Sequence, residues 1–281
     1  MMARVGFRKV YAPGEFGVAS VQGLYLLLKQ VLIDAGFTVQ NDIATAFEVR
    51  PSGVDVGTVD DDTPHWALRL DDQGGFAALY ARAVHGVDAF DPQALVMDQW
   101  LIDSYTVFNI PQEFTLWIAA DGHEGWWWLH GSIADPGSPS GLSFRVGLVA
   151  TKSRRYASDR YSGLTARYGL RDVWGSFYVP YGCDPGGNRS PQSMQTWTPL
   201  GMGAPVGKRH AGSPLPRMAV PVFPAPGSWI TGCVMGELDH VLALTSGYAH
   251  LEEVVPGWIA FIGGDWDQPY AVPAPASFTV K

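Results

Sequence analysis

The density of glycine and proline restricts the fold of this chain more than any other feature. Its 281 residues include 33 glycines and 21 prolines, nearly one residue in five. Proline locks one backbone dihedral and removes a hydrogen-bond donor, whereas glycine is the residue that tight turns most often need. The sequence therefore predicts many turns and short strands, and few long helices.

One helix is nevertheless predicted near the start of the chain, over residues 18–35. Apolar residues recur there at the three-to-four-residue spacing of a single helical face. They are Leu24, Leu27, Leu28, Val31 and Leu32. Ser20 is the expected N-cap and Gly36 the expected stop. Because the apolar face is wide, the helix should pack against a sheet or another helix.

The strongest local signal is a hairpin, with strands at 114–120 and 126–133 around a turn that begins Asp121-Gly122. An Asp-Gly step between two apolar runs is a strong hairpin signal. Trp126, Trp127 and Trp128 are consecutive, and successive strand residues point to opposite faces. Both faces should therefore bury aromatic surface, one in the domain core and the other under a second layer or a partner subunit.

Further strands are predicted from alternation of apolar and polar residues and from short apolar runs. They lie at 37–39, 65–70, 76–84, 144–151, 173–181, 228–235, 241–245 and 258–263. A short helix is the alternative for 76–84, and the tail at 269–281 should be extended. The predicted fold class is thus α+β and mostly β, with antiparallel sheets, one N-terminal helix and a long Pro/Gly-rich extended arm.

A flexible connection, DPGSPSG at 135–141, suggests where the chain divides. It predicts an N-terminal α+β domain at 1–135 and a β-rich domain at 142–281. Nine of the 21 prolines fall within 182–227. Because so long an irregular stretch is unusual in a compact domain, we expect an extended arm at 185–228 that orders against a neighbour.

Charge is scarce and unevenly distributed. Charged residues make up 16% of the chain, against roughly 25% in an average soluble protein. A neutral surface suits a chain whose surface is covered by neighbours, although an ordinary loop-rich protein is the alternative. Residues 1–140 carry 7 basic and 18 acidic side chains, residues 141–228 carry 11 and 3, and residues 229–281 carry 1 and 6. The acidic and basic parts can attract within one fold or head to tail between copies.

Motifs for enzymatic chemistry are missing from the sequence. It contains no G-x-S-x-G, Walker A or G-x-G-x-x-G pattern. The adjacent residues Asp60, Asp61 and Asp62 lack the alternating spacing of a calcium loop. The hairpin residues His123, Glu124 and His130 would need zinc ligands from elsewhere. We therefore expect no catalytic residues, no cofactor and no metal, and the chain is not expected to be an enzyme.

The cysteines and the apolar runs indicate in which cellular compartment the protein is expected. Cys183 and Cys233 form no CxxC motif, and whether they pair stays open. The N-terminus has no apolar signal core, and no apolar run reaches the roughly 18 residues that span a bilayer. We expect a soluble protein with no membrane association.

A basic segment interleaved with tyrosines is the predicted protein interface, together with Trp126, Trp127 and Trp128. Its members are Arg154, Arg155, Tyr156, Arg160, Tyr161, Arg167, Tyr168 and Arg171. Basic and aromatic residues can bind single-stranded nucleic acid, but Arg and Tyr are also enriched at protein contacts. Because the chain as a whole is acidic, direct nucleic-acid binding is not expected. The tryptophans, or Trp266, could alternatively stack on sugars.

Several runs resemble virion proteins of tailed bacteriophages. These runs are FRVGLVATKSRRY at 144–156, YSGL at 161–164 and SFYVPYG at 176–182. The early helix, AGFTV at 35–39 and the strand around Trp66 are similar to the opening of such proteins. The resemblance covers about half of the chain, and the Pro-rich region 185–228 departs from it.

The resemblance implies a non-enzymatic structural component of the particle, made in the host cytoplasm and located in the virion. Its expected partners are further copies of itself, in a ring or sleeve, and other virion proteins. A neck or tail-completion ring is the first expectation, and a baseplate or tail-tip part is the second. The alternative function is a sugar-binding protein for the host surface, at the tail tip or baseplate.

Overall fold

The structure is a computed structural model. It describes residues 4–52, 65–84, 100–104, 113–133, 144–154, 163–167, 176–178, 182–183, 189–190, 217–221, 234–244, 248–249, 251–261 and 270–280. Several features of the sequence analysis lie outside these residues: the Asp60–Asp62 run, the connection at 135–141, Cys233, Trp266 and most of the predicted arm.

The described residues form a mostly β protein with one helix near the start of the chain, which confirms the predicted fold class. The elements in chain order are β1 (Val5–Tyr11), α1 (Val18–Asp34), β2 (Thr38–Ile43), β3 (Ala46–Arg50), β4 (His65–Gln73), β5 (Phe76–Val84), β6 (Trp100–Asp103), β7 (Phe114–Asp121), β8 (Trp126–Ile133), β9 (Phe144–Arg154), β10 (Gly163–Arg167), β11 (Ser176–Tyr178), β12 (Gly182–Cys183), β13 (Arg189–Ser190), β14 (Arg217–Pro221), β15 (Val234–Ala243), β16 (Glu253–Val255), β17 (Trp258–Phe261), β18 (Tyr270–Pro273) and β19 (Thr279–Val280). The predicted hairpin is confirmed as β7 and β8, and residues 76–84 form a strand and not a helix.

Helix α1 begins earlier than its predicted cap. Gly17 is the N-cap, because its carbonyl accepts the first helical bond from the Val21 N–H at 3.0 Å. The prediction of Ser20 as N-cap is therefore wrong. The Ser20 hydroxyl lies inside the first turn and donates to the Glu15 carbonyl. Serine is a good capping residue, but the wide apolar face of α1 favours a helix that begins earlier, at Val18.

The end of α1 matches its prediction closely. Gly36 has φ of 90°, a left-handed conformation that glycine adopts without strain. The Gly36 N–H donates to the Ile33 carbonyl and the Phe37 N–H donates to the Leu32 carbonyl, both at 2.9 Å. These two bonds form a Schellman motif, which satisfies carbonyls that a helix end otherwise leaves unpaired. Phe37 and Leu32 are also both buried in the core.

Two main sheets flank the helix. Strands β2 to β6 form an antiparallel meander in sequential order. The larger sheet has twelve strands, nine of which run in the order β16-β17-β18-β15-β9-β8-β7-β1-β19. Its pairings are antiparallel except that β1 pairs with β19 in parallel. A small pair, β12 with β13, is separate.

The larger sheet crosses the predicted domain division. Strand β8 pairs with β9, for example Trp128 with Leu148, although the two strands lie on opposite sides of residues 135–141. The division into two domains stays a prediction. If the chain divides there, strands of both domains belong to the same sheet. Within the predicted arm, β14 pairs with β15.

One strand joins the described parts of two predicted ones near the end of the chain, and residues 228–233 lie outside the described residues. The sequence predicted separate strands at 228–235 and 241–245. The structure has β15 running unbroken from Val234 to Ala243. This prediction was wrong because β9 and β14 both hydrogen-bond to the 236–238 portion, and backbone pairing does not require apolar side chains.

One hydrophobic core joins the helix to both sheets. The inner face of α1 contributes Val21, Leu24, Leu28, Val31 and Leu32, all buried. The same cluster contains Phe47 and Leu68 from the five-stranded sheet, and Ile118 and Trp127 from the larger one. Helix α1 therefore lies between the two sheets, which confirms the prediction that it packs against a sheet.

Candidate interaction surfaces

The three consecutive tryptophans lie on both faces of β8 and are all buried. Trp127 belongs to the main core, whereas Trp126 and Trp128 point to the opposite face of the sheet. Their exposed fractions are 1% for Trp126, 0% for Trp127 and 2% for Trp128. This confirms the prediction that both faces of the hairpin bury aromatic surface.

The end of the chain covers the outer tryptophan face. The Trp128 indole N–H donates to the Pro273 carbonyl at 2.8 Å. Its ring also contacts the ring of Phe278, with centroids 6.0 Å apart. The assignment of Trp126, Trp127 and Trp128 to a subunit interface stays a prediction. A partner subunit would contact Trp128 only if it displaced Pro273 and Phe278.

Arg4 ties three distant parts of the chain together beside Trp126. Its guanidinium donates to the Gly257 carbonyl at 3.1 Å and to the Glu124 carboxylate at 3.3 Å. The guanidinium carbon also lies 5.6 Å from the centre of the Trp126 ring. The same Glu124 oxygen accepts a bond from the Trp126 indole N–H at 2.8 Å. These charge-assisted contacts hold the start of β1 against the β7–β8 turn and the β16–β17 turn.

The candidate metal ligands of the hairpin, His123, Glu124 and His130, have different surroundings. Glu124 is engaged by Arg4 and Trp126, His123 is exposed in the turn, and His130 is buried within β8 beside Trp117. Across the described ranges, no group of three or more His, Cys, Asp or Glu side chains is placed to hold a metal ion. Nor does the described part of the chain contain a helix long and apolar enough to cross a membrane.

The arginine–tyrosine segment is described only at two positions. Arg154 ends β9 and Arg167 ends β10. The ladder between these strands runs from the pair Gly163–Thr151 to the pair Ala166–Leu148, so the two arginines lie beyond opposite ends of it. At about 3.3 Å per residue, their backbones are roughly 20 Å apart. The other predicted interface residues lie outside the described residues; they are Arg155, Tyr156, Arg160, Tyr161, Tyr168 and Arg171.

An exposed apolar stripe on α1 was missed in the sequence. Leu26 is 64% exposed and Ile33 is 42% exposed, one helical repeat of seven residues apart. Ala19, Gly23 and Gln30 are exposed on the same side of the helix, and the exposed Asp34 borders the stripe, where it accepts a hydrogen bond from the Gln30 amide at 2.7 Å. The signal was present, because Leu26 and Ile33 fall outside the face formed by Leu24, Leu28 and Val31. Most helices of soluble proteins place charged or polar residues there.

Polar groups on the five-stranded sheet pair with one another and with helix α1. The Asn41 amide donates to the buried Glu48 carboxylate at 2.6 Å, and Lys29 pairs with Asp42 at 2.6 Å. The Arg69 guanidinium lies 4.7 Å from the centre of the Tyr80 ring and 3.6 Å from the Asp71 carboxylate. These contacts stabilise the sheet. The side chains involved do not converge on a common point where a ligand could bind.

Two buried tyrosines have perturbed acidities. Burial, reinforced by the nearby negative charge of Glu15, raises the pKa of Tyr11 to about 12. Burial, reinforced by Asp42, also raises the pKa of Tyr25. The Tyr25 hydroxyl has no hydrogen-bond partner among the described residues. Both phenols are therefore neutral at ordinary pH, and their positions in the core indicate packing.

No family model matches the chain, and no curated protein matches it significantly. The likeness to tailed-phage virion proteins stays a prediction from the sequence.

Proposed function

We propose that this chain is a non-enzymatic structural component of a tailed-phage particle and forms a homo-oligomeric ring or sleeve at the neck or tail. The main structural support is the exposed apolar stripe of Leu26 and Ile33 on α1, in a chain with only 16% charged residues. The burial of all three tryptophans means that they supply no open aromatic surface, so the proposal rests on this stripe and on the composition.

The energetic gain from covering the stripe is moderate. Leu26 and Ile33 together leave about one side chain's worth of apolar surface in water. Burying that surface is worth about 2 kcal/mol per subunit. One helix face is also smaller than the roughly 800 Å² per partner of a standard interface. In a closed ring each subunit contacts two neighbours, so several contacts act together. The ring can therefore be stable although the energy and the area of each stripe contact are small.

The distribution of charge is compatible with a head-to-tail arrangement. Residues 1–140 have a formal net charge of −11 and residues 141–228 have +8. Opposite charge in two parts of the chain can attract within one fold or between unlike faces of neighbouring copies, and the second case is the heterologous contact that a closed ring requires. Such a contact should weaken as salt is raised, since exposed charges are screened.

The sugar-binding alternative has less support from the described residues. Stacking on a sugar ring needs an exposed aromatic face, and Trp126, Trp127 and Trp128 are buried. The alternative would rest on Trp266, which lies outside the described residues. A glycan array on the purified protein distinguishes the two functions, because specific binding by the monomer favours the sugar-binding protein.

The oligomer is tested by placing charge on the stripe. We expect the variant Leu26→Lys/Ile33→Lys to lower the association constant at least about tenfold, because burying a lysine ammonium costs more than the lost contact alone. Thr45→Lys, on the exposed β2–β3 turn, is the matched control and should associate like the unmodified chain. Light scattering after size-exclusion chromatography measures the masses. An unmodified chain that stays monomeric at high concentration overturns the ring.

Membership of the particle is tested separately. Gold-labelled antibodies against the purified chain should decorate phage particles at the neck or tail in electron micrographs. Particles from a productive infection that carry no label, although the antibody binds the isolated chain, would contradict the proposed location.

A further inference from the structure

The last described segment of the chain, residues 274–280, is attached to its own subunit in an unusual way. We call this the tail segment. Its strand β19 pairs with β1 in parallel through only two residue pairs, Phe7 with Thr279 and Arg8 with Val280. Both β19 residues are exposed, Val280 by 69%. A two-residue ladder with exposed side chains opens at low free-energy cost.

The seat that receives the tail segment is nevertheless specific. A Cβ atom at Gly6 would lie 2.4 Å from a carbon of the Pro275 ring and 2.9 Å from the Phe278 ring. Only glycine therefore allows the tail segment to approach β1 this closely. Phe278 also packs against Trp128. The seat consists of Gly6, the outer edge of β1 and the outer tryptophan face of β8.

The connection to the seat has the composition of a hinge. Ala274 is held in place, because its N–H donates to the Gly257 carbonyl at 2.9 Å. Ala276 and Ser277, which follow Pro275, are exposed. Pro273 and Pro275 favour extended backbone before and around the hinge and disfavour chain reversal. Two exposed residues thus separate Ala274 and Pro275, which stay on their own subunit, from Phe278–Val280.

We propose that the tail segment is exchanged between copies, so that Phe278–Val280 of one subunit occupies the seat of its neighbour. This inference rests on the proposed homo-oligomer and names one of its contacts. The partner is a second copy of this chain, because the intrachain arrangement already shows that the seat accepts this segment. Exchange keeps the contacts of Phe278–Val280 and changes only which subunit supplies them, which makes it a low-cost route to assembly. It also gives Trp128 a contact with a partner subunit although it is buried.

Disulfide trapping tests the exchange. Arg8 and Val280 are paired directly across the two strands and are both exposed, so cysteines there suit a disulfide and do not threaten folding. The background carries Cys183→Ser and Cys233→Ser. Chains with Arg8→Cys are co-expressed with chains with Val280→Cys and oxidised mildly. We expect a covalent dimer on a non-reducing gel. Co-expression of Thr45→Cys with Val280→Cys should give none.

The double variant Arg8→Cys/Val280→Cys separates the outcomes. We expect it to form covalent chains of more than one subunit. Bridges confined to single chains, in protein that light scattering shows to be oligomeric, overturn the exchange and leave the proposed ring intact. Bridges confined to single chains in a monomeric protein overturn both. Gly6→Ala should abolish the covalent dimer by blocking the seat, and unchanged trapping in that variant contradicts the seat described here.

Discussion

Substitution of Gly122 by alanine should strongly destabilise the fold although it adds only one methyl group. Gly122 lies in the β7–β8 turn, directly against the end of α1. Its N–H donates to the Ala35 carbonyl at 2.8 Å, and its carbonyl accepts a bond from the Ser52 N–H at 2.8 Å. The turn therefore connects the helix end, the residues after β3 and the tryptophan hairpin mainly through backbone contacts, and the Ser52 hydroxyl adds a longer bond to the Gly122 carbonyl at 3.5 Å.

The magnitude follows from what an added methyl group would meet. A Cβ at Gly122 would lie 2.5 Å from the Gly36 carbonyl carbon, 2.6 Å from the Phe37 nitrogen and 2.7 Å from the Ala35 oxygen. All three are backbone atoms and cannot rotate away. Overpacking of this kind costs about 1–3 kcal/mol. Separating the turn from the helix also weakens two backbone hydrogen bonds, each worth about 1 kcal/mol net. We expect a loss of about 3–5 kcal/mol in the free energy of unfolding.

Urea denaturation followed by tryptophan fluorescence measures this loss, because Trp126, Trp127 and Trp128 all lie in the affected hairpin. Gly23→Ala is the matched control, since a Cβ there meets nothing within 4 Å on the exposed side of α1. The same chemical change should stabilise the chain there by about 0.5–1 kcal/mol through helix propensity. A Gly122→Ala variant that loses less than about 1 kcal/mol refutes the close-approach reasoning.

Two further predictions concern the buried tyrosines. Because the pKa of Tyr11 is raised from 10.0 to about 12, its stabilising effect is full below pH 10 and is lost as pH rises from 10 through 12. Denaturation curves over this range should show a decline of up to about 3 kcal/mol, which Tyr11→Phe reduces; an equal decline in both proteins contradicts the assignment. Tyr25→Phe removes a buried hydroxyl that has no partner among the described residues. It should leave stability unchanged at neutral pH or raise it by about 1 kcal/mol, and a clear loss in thermal melting temperature shows that the hydroxyl is bonded.

Local patterns predicted several elements well because their determinants lie within a few residues of one another. The helical spacing of Leu24, Leu28 and Val31, the stop at Gly36 and the Asp121-Gly122 turn each depend on near neighbours in the chain. The sequence also indicated that both faces of the tryptophan strand are buried. It did not show that the cover of Trp128 comes from Pro273 and Phe278, since these residues lie almost 150 positions away.

By itself, then, the sequence determined the fold class, the helix with its stop, and the hairpin, because backbone propensity and side-chain periodicity are local properties. Only the tertiary structure decided that Gly122 must lack a side chain, that β15 is one strand, and that the tail segment covers Trp128. It also separated the exposed Leu26 and Ile33 from the buried leucines beside them. The physical reason is that burial and strand pairing depend on which distant segments come together, and no local pattern specifies those partners.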